Sequence, residues 1–229
     1  MKRGCVIALA VLVLGSAALI AVPKYFYPTY SYRYRLTVNI EDDGKVHSGS
    51  SVIEVTWYAH FLPELVSFSP ELRGEAALVD LGSHGVVVAT LLNGESMGPA
   101  RDGAWGAIGL VPRAFGFGTS LTELVAALPK LRGRRDLAAN NMPRFLWFSN
   151  PQDPTTAQKT LIQDFPAVLG SSVRFAGASV EITDDPLLID IRDKLPWLKS
   201  LEQKPAGNNV IYLPNKFGIS RYLFIGDRS

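Results

Sequence analysis

The sequence predicts an α+β protein in which an N-terminal transmembrane helix precedes one β-rich domain with a few short helices. Three observations support this fold class. Residues 4–22 form an uncharged apolar run, apolar and polar residues alternate from Tyr32 onward, and seven glycines interrupt residues 93–118. The predicted boundaries are residues 1–30 for the membrane anchor with its aromatic belt and residues 31–229 for an exported α+β domain.

The apolar run has the length of a membrane-spanning helix. Its 19 residues make roughly 28 Å of helix at about 1.5 Å each, close to the ~30 Å hydrocarbon thickness of a bilayer. The apolar part of a cleavable signal peptide is shorter, about 7–15 residues. Pro23 ends the helix, and Tyr25, Phe26 and Tyr27 follow as an interfacial aromatic belt. The sequence therefore predicts an uncleaved anchor, with a cleaved signal peptide as the alternative.

The orientation of the anchor follows from its short basic tail. Lys2 and Arg3 stay on the cytoplasmic side, so the chain after Pro23 lies on the far side of the membrane. The one cysteine, Cys5, falls within the apolar run. The exported domain therefore contains no cysteine, a composition that suits an oxidising compartment.

Two hairpins are predicted in the first half of the domain. Tyr32 to Ile40 alternate as in a half-buried strand, and Asp43-Gly44 is a hairpin turn that leads into a return strand. Gly49 within that return strand predicts a bulge or a bend. Residues 76–81 and 86–92 form the second hairpin, whose nearly continuous apolar return arm indicates a strand covered on both faces.

The second half of the domain mixes short helices and strands, with no repeat or linker to divide it. A helix is predicted over residues 121–128, and Asp153 is expected to cap a helical turn at Pro154. Asp184-Asp185-Pro186 predicts the start of another helix, capped by one of the two aspartates. The apolar face of that helix is expected to consist of Leu187, Leu188, Ile191 and Leu195. Further strands are predicted over residues 144–148, 173–182, 210–213 and 222–225.

Composition argues against several classes of function. A formal net charge of +2 and a pI of about 8.6 give no reason to expect a nucleic-acid partner. A single cysteine excludes an intramolecular disulfide and a CxxC metal site. His47, His60 and His84 stand far apart, and none has a second ligand at metal-binding spacing. The sequence thus predicts no metal, no cofactor and no catalytic constellation.

One serine provides an enzymatic alternative. Ser96-Met97, downstream of a membrane anchor, resembles the serine–methionine pair of type I signal peptidases, in which a lysine is the base for the serine. The nearest downstream lysine, Lys130, stands among arginines, and the later arginine- and aspartate-bearing motifs of that family are absent. A serine in a Gly/Pro loop is the plainer interpretation, and a membrane-bound serine hydrolase using Ser96 is the alternative hypothesis.

Two charge clusters are the remaining candidate sites. A basic run is a candidate for docking on anionic lipid or on a partner, although cations after a helix C-terminus also interact with the helix dipole. Its members are Lys130, Arg132, Arg134 and Arg135. An acidic cluster carries ligands for a cation such as Ca²⁺, but we expect its residues to cap a helix and form its solvated face. Its members are Glu181, Asp184, Asp185, Asp190 and Asp193.

Six short motifs are spread along the domain. They are YRYRLTV at 32–38, GSSVIEV at 49–55, GEAALVDLG at 74–82, FSNPQDPT at 148–155, VEITDDP at 180–186 and KLPWL at 194–198. Together they resemble a family of uncharacterised bacterial membrane-anchored envelope proteins with no assigned activity. The resemblance implies a bacterial source and export, and it transfers no catalytic residue.

These observations together predict a single-pass protein of the bacterial inner membrane with a periplasmic C-terminal domain. Its partners are expected to be the membrane, through residues 4–22, and an unknown envelope protein. Its molecular function is expected to be that of a binding or structural module.

Overall fold

The structure, a computed structural model, describes residues 29–62, 65–91, 106–117, 121–203, 210–213 and 218–226. The strands are β1 (Tyr30–Asp42), β2 (Lys45–Leu62), β3 (Leu65–Glu75), β4 (Ala77–Asp80), β5 (Val86–Ala89), β6 (Arg134–Asp136), β7 (Phe145–Phe148), β8 (Ala157–Thr160), β9 (Arg174–Ile182), β10 (Val210–Tyr212), β11 (Gly218–Ser220) and β12 (Ile225–Gly226). The α-helices are α1 (Leu110–Ala114), α2 (Leu121–Ala127), α3 (Phe165–Val168), α4 (Ile191–Lys194) and α5 (Trp197–Glu202). A mixed, strand-rich fold with short helices is therefore confirmed.

The predicted anchor, residues 4–22, lies outside the described residues. Within the described ranges no helix is long and apolar enough to cross a membrane. Ser96 also lies outside them. The anchor and the serine hydrolase hypothesis both stay predictions.

Two antiparallel sheets contain ten of the described strands. The larger sheet has the order β12-β3-β2-β1-β9-β6, the smaller one has the order β4-β5-β7-β8, and β10 pairs with β11. The chain passes from the larger to the smaller sheet at Ala76, between β3 and β4. Because β4 then packs across β1 and β2, the two sheets bury a common core.

The first hairpin has the predicted register and turn. Tyr30 on β1 pairs with Trp57 on β2, and the ladder continues to the closing pair of Asp42 and Lys45. Asp43 and Gly44 have φ values of 48° and 76°, as a type I′ turn requires. Alternate residues of β1 enter the core, as the period of two predicts: Tyr32, Tyr34, Leu36, Val38 and Ile40 are buried.

Gly49 does not form the predicted bulge. It pairs with Val38 in an unbroken β1–β2 ladder, and the irregularity of this region lies on the other side of β1, between Asn39 and Ile40 where they pair with β9. A Cβ atom on Gly49 would lie 2.1 Å from the carbonyl oxygen of Leu78. The glycine is therefore needed for the close approach of β4 to β2.

The smaller sheet lies between the larger sheet and α5. Phe145 on β7 packs with its ring 6.1 Å from that of Phe175 on β9. Phe148, at an odd separation along the same strand, faces the opposite side, where its ring lies 5.7 Å from Trp197 of α5. All four residues of β5 are buried, which confirms the prediction of a strand covered on both faces.

The prediction that a helix begins at Asp184-Asp185-Pro186 is wrong. Residues 183–190 have no regular secondary structure, and α4 starts only at Ile191. Asp185 caps no helix because its carboxylate accepts hydrogen bonds from Arg35, at 2.5 Å, and from the Thr183 hydroxyl, at 2.6 Å. These contacts hold the segment against β1 in a non-helical path.

The first turn of α4 is capped from a distant part of the chain. Oε2 of Glu75, at the end of β3, accepts the N–H groups of Asp190 and Ile191, each at 2.8 Å. The predicted apolar stripe is accordingly divided. Ile191 and Leu195 are buried as expected, whereas Leu188 is 39% exposed on the irregular segment before the helix.

Of the remaining elements predicted in the second half of the domain, the Asp153 cap is confirmed and the last strand is wrong except at Ile225. Asp153 caps a 3-10 turn at Pro154 by accepting the N–H of Thr155 at 2.9 Å. Residues 106–117, in the stretch that seven glycines interrupt, contain a 3-10 turn and the five-residue helix α1. The strand predicted over residues 222–225 is reduced to β12, since Tyr222 belongs to a 3-10 turn.

Candidate functional site

Two adjoining cavities lie at the end of the smaller sheet where β7 begins and β8 ends. Their volumes are about 340 and 350 Å³, within the range of ligand pockets, and Arg113 and Asn140 line both. The first cavity is also lined by Arg144, Phe145, Thr160 and Gln163. The second is also lined by Ala114, Phe117, Asp136 and Asn141. We name the two cavities together the Arg113 cleft.

The Arg113 side chain is held in one orientation by its surroundings. Its Nε donates to Oδ1 of buried Asn141 at 2.5 Å, and Nδ2 of Asn141 donates to the Leu110 carbonyl at 3.0 Å. Gly109, one helical turn before Arg113, gives the guanidinium room, because a Cβ atom there would lie 2.6 Å from Nη1. Helix α1 and the 3-10 turn at Ala139–Asn141 thus fix the guanidinium between the two cavities.

Burial sets the electrostatics beside the cleft. Desolvation lowers the pKa of Arg113 from its ordinary 12.5, an effect that the neighbouring Tyr34 opposes. Tyr34 is fully buried and donates its hydroxyl to the Ala107 carbonyl at 2.6 Å. Burial raises the pKa of Tyr34 well above 10, so its phenol is neutral. Arg113 is therefore a cation in partly water-excluded surroundings, where charge interactions are stronger than in bulk water.

A second cation, Arg144, lines the first cavity. Its carbonyl oxygen accepts both the N–H and the hydroxyl of Thr90, at 2.8 and 3.1 Å, which fixes the backbone from which its side chain extends. Thr160, Asn140 and Gln163 add neutral hydrogen-bonding groups. Guanidinium groups match carboxylates and phosphates in charge and in planar geometry. The Arg113 cleft can therefore bind a small molecule that carries an acidic group.

A second polar cluster joins three segments near the other end of β7. Nδ1 of His84 lies 2.8 Å from Oδ2 of Asp42, and the Ser172 hydroxyl donates to the other oxygen of Asp42 at 2.6 Å. A Ser-His-Asp triad requires the serine to donate to the imidazole, whereas here both groups contact the carboxylate. The hydrogen bonds from Ser172 and His84 hold the pKa of Asp42 below its ordinary value. The cluster fastens the β1–β2 turn to the loops before β5 and β9.

The structure separates the residues of the basic run, which the sequence predicts as a docking surface. All four residues are exposed. Arg132 donates to the carbonyl oxygens of Pro129 and Leu131. Arg134 and Arg135 are consecutive on β6, which places them on opposite faces of the larger sheet. Lys130 ends the 3-10 turn that follows α2.

One member of the basic run lies beside the candidate site. Arg135 stacks over the Phe115 ring at 4.8 Å, next to the second cavity. The remaining members do not line the Arg113 cleft. Docking of the basic run on lipid or on a partner stays a prediction.

The acidic cluster is divided among separate ion pairs. Asp190 pairs with Lys194 at 2.8 Å, and Asp193 pairs with Lys199 at 3.2 Å. Asp185 binds Arg35, as described above. Among the described residues there is no group of three or more His, Cys, Asp or Glu side chains that could hold a metal ion.

Sequence reasoning did not identify Arg113, Asn141 or Arg144. They belong to no recognisable motif. Helix α1 lies in the stretch that seven glycines interrupt, and the 3-10 turn at Ala139–Asn141 lies outside every predicted element. The one local signal is Gly109 four residues before Arg113, the spacing of one helical turn. Comparisons with protein-family models, with curated proteins and with solved structures find no match.

Proposed function

We propose that this chain is a single-pass envelope protein whose exported domain is a binding module for a small acidic molecule. The observation that carries the proposal is the fixed, partly buried guanidinium of Arg113 between two cavities. The carboxylate or phosphate of the ligand binds to Arg113, and Arg144 provides a second positive charge. Binding by an unknown envelope protein, expected from the sequence, stays a separate prediction.

The membrane part of the proposal is supported by the sequence. The apolar run ends at residue 22, and β1 starts eight residues later at Tyr30. The domain therefore stands close to the bilayer. The absence of cysteine beyond Cys5 in the sequence and the resemblance to bacterial envelope proteins agree with a periplasmic location.

The ligand class is supported by the chemistry of the cleft. Arg113 and Arg144 both line the first cavity, so two positive charges there favour an acidic ligand over a neutral one. An acidic group can form charge-assisted hydrogen bonds with these guanidinium groups. Cavities of about 340 and 350 Å³ suit a small molecule better than a folded partner.

Thermal unfolding of the full-length protein in nanodiscs tests the ligand class. The probes are inorganic phosphate and succinate, with glycerol as the uncharged control. A ligand at about 100 times its Kd stabilises the folded state by about 2.7 kcal/mol. For a domain of this size, that free energy raises the Tm by roughly 5–10 °C. We expect at least one of the two anions to do so and glycerol to have no effect.

Three variants assign the effect to the cleft. Arg113→Lys keeps the charge but loses the planar fork, and exposed Arg144→Gln removes the second charge, so both should reduce the shift. Arg132→Gln is the matched control, because Arg132 donates to backbone carbonyls outside the cleft and should leave the shift unchanged. If neither anion stabilises the protein, or if Arg113→Lys and Arg144→Gln respond like Arg132→Gln, the proposed ligand class is wrong.

Carbonate extraction tests the membrane part independently. The protein should stay in the membrane pellet at its full apparent mass. An N-terminus near Leu19, found by sequencing the mature protein, would instead identify residues 4–22 as a signal peptide.

A further inference from the structure

The two cavities of the Arg113 cleft differ in the charges that line them. The first cavity has the guanidinium groups of Arg113 and Arg144, and none of its described lining residues carries a carboxylate. The second cavity shares Arg113 but also contains the carboxylate of Asp136. An acidic group therefore fits the first cavity better than the second. Because the cavities adjoin, the rest of the same molecule can occupy the second.

Asp136 can accept hydrogen bonds from a ligand in the second cavity. It is the last residue of β6, and its side chain is 87% exposed. Its Oδ1 lies 3.8 Å from Nε of Arg134, which is too long for a hydrogen bond. A carboxylate has about four acceptor positions on its two oxygens. The second cavity thus offers a strong acceptor to any ligand group that carries a donor hydrogen.

Asn140 adds an amide where the two cavities meet. Its side chain is exposed and lines both of them. The neighbouring Asn141 uses its amide within the protein, on Arg113 and on the Leu110 carbonyl. An amide both donates and accepts hydrogen bonds, and so does a hydroxyl group. A carboxylate and an amide side by side therefore match a ligand that carries neighbouring hydroxyl groups.

The charges around the second cavity argue against other polar ligand groups. Arg113 lines the cavity, and Arg134 lies close to Asp136. Arg135 stacks over Phe115 next to it. Three guanidinium groups around one carboxylate disfavour an ammonium group, and the carboxylate disfavours a second acidic group. Neutral hydroxyl groups meet neither repulsion.

Phe117 gives the second cavity an apolar wall. Its ring lines the cavity and is partly buried against the core. An aromatic ring offers a large apolar surface for packing. A sugar ring carries hydroxyl groups around its edge and C–H groups on its faces. One sugar can therefore contact Asp136, Asn140 and Phe117 together.

We propose that the ligand of the Arg113 cleft is an acidic sugar, a monosaccharide that carries a carboxylate or a phosphate. This inference rests on the proposed function, because it takes the binding of an acidic group by Arg113 and Arg144 as given. The acidic group binds in the first cavity. The hydroxyl groups bind to Asp136 and Asn140 in the second, and the C–H face of the ring packs on Phe117.

Isothermal titration calorimetry of the full-length protein in nanodiscs tests the sugar with matched pairs of ligands. Glucuronate is compared with cyclohexanecarboxylate, and glucose 6-phosphate is compared with ethyl phosphate. The second member of each pair keeps the acidic group and lacks the hydroxyl groups. Hydrogen bonds from hydroxyl groups to a carboxylate and an amide should make the acidic sugar bind about tenfold more tightly in at least one pair. Uncharged glucose should bind more weakly than that acidic sugar.

Two variants locate the hydroxyl contacts. Asp136→Ala and Asn140→Ala each remove one hydrogen-bonding partner at an exposed position, so the fold should be kept and the advantage of the acidic sugar should fall. A change of protein charge acts on both ligands of a pair, so the ratio of their Kd values isolates the hydroxyl contacts. Asp193→Ala is the matched control, because Asp193 is exposed and pairs with Lys199 outside the cleft. It should leave the ratio unchanged.

The outcomes separate this inference from the proposed function. If none of the acidic ligands binds, or if glucose binds as tightly as the acidic sugars, the proposed function is wrong and the inference is overturned with it. If acidic ligands bind but neither acidic sugar binds more tightly than its hydroxyl-free counterpart, the proposed function stands and the inference alone is wrong. An advantage that survives both Asp136→Ala and Asn140→Ala would also overturn it, because the hydroxyl groups would then bind outside the second cavity.

Discussion

Glu75 determines where α4 begins, and its removal should destabilise the domain strongly. Its side chain is 4% exposed, and its carboxylate accepts two backbone N–H groups of α4, both at 2.8 Å. It also pairs with Arg192, which in turn binds Glu202 at 2.7 Å. Glu75→Ala leaves two N–H groups and part of a buried ion pair without their acceptor. Removal of one partner of a buried pair costs about 3–5 kcal/mol.

The Tm of the full-length protein measures this cost. For a domain of roughly 200 residues, about 3–5 kcal/mol corresponds to a loss of roughly 10 °C. Exposed Glu181→Ala on β9 is the control and should change the Tm little. If Glu75→Ala melted with the control, the N–H groups of Asp190 and Ile191 would have other acceptors and the assignment of the cap would be wrong.

The pH dependence of Glu75 provides a second measurement. Desolvation raises the pKa of its carboxyl above the ordinary 4.5, against the opposing hydrogen bonds and the charge of Arg192. Between the unfolded and the folded pKa the native state therefore holds more protons, so this group's contribution to stability falls as the pH rises through that window. Glu75→Gln removes the titration and should flatten the stability curve there, with a smaller loss of stability than Glu75→Ala. An unchanged pH profile would refute the role of burial.

Substitutions at Gly49, Asp42 and Ile191 test the packing of β4, the electrostatics of the first turn and the burial of α4. Gly49→Ala should lower the Tm by many degrees or prevent folding, because the Cβ atom of the alanine would overlap the Leu78 carbonyl. An unchanged Tm would show that β4 can move away from β2. Asp42→Asn should reduce the loss of stability in acid, because a lowered pKa contributes stability that is present above the ordinary 3.8 and lost as the pH falls through the folded value. Acid-denaturation curves of the same shape for both proteins would contradict this. Ile191→Ala should lower the free energy of unfolding by about 2–5 kcal/mol, and Leu188→Ala, at an exposed position, should lower it much less. Urea unfolding measures both, and equal losses would place both residues in the core.

The strands could be predicted because their signals are local. A buried and a solvated face leave an alternating pattern in β1, and Asp43-Gly44 determines the turn by its own backbone preferences. The start of α4 could not be predicted in this way. Its acceptor is Glu75, far back in the sequence, while the nearby Asp185 is occupied by Arg35. Which of several distant side chains will accept the N–H groups of a helix cannot be predicted from a window of a few neighbouring residues in the sequence.

The candidate site shows the same limit. The basic run is conspicuous in the sequence, yet β6 places Arg134 and Arg135 on opposite faces. Arg113 is inconspicuous, and its position depends on Asn141 and Gly109, which meet it only in the folded chain. Charged residues that are close together in the sequence therefore do not have to be close together in the folded protein.

The order of strands in the larger sheet constrains the order in which the domain can form during synthesis. β1, β2 and β3 are consecutive and can pair as soon as all three have been synthesised. The other edge of β1 stays open until β9 arrives, because β9 is its neighbour and β6 joins the sheet only through β9. During that interval β1 keeps one open edge, at which it can pair with another nascent chain. Chaperones that cover this edge should therefore raise the yield of the folded domain, and a truncation before Arg174 should aggregate.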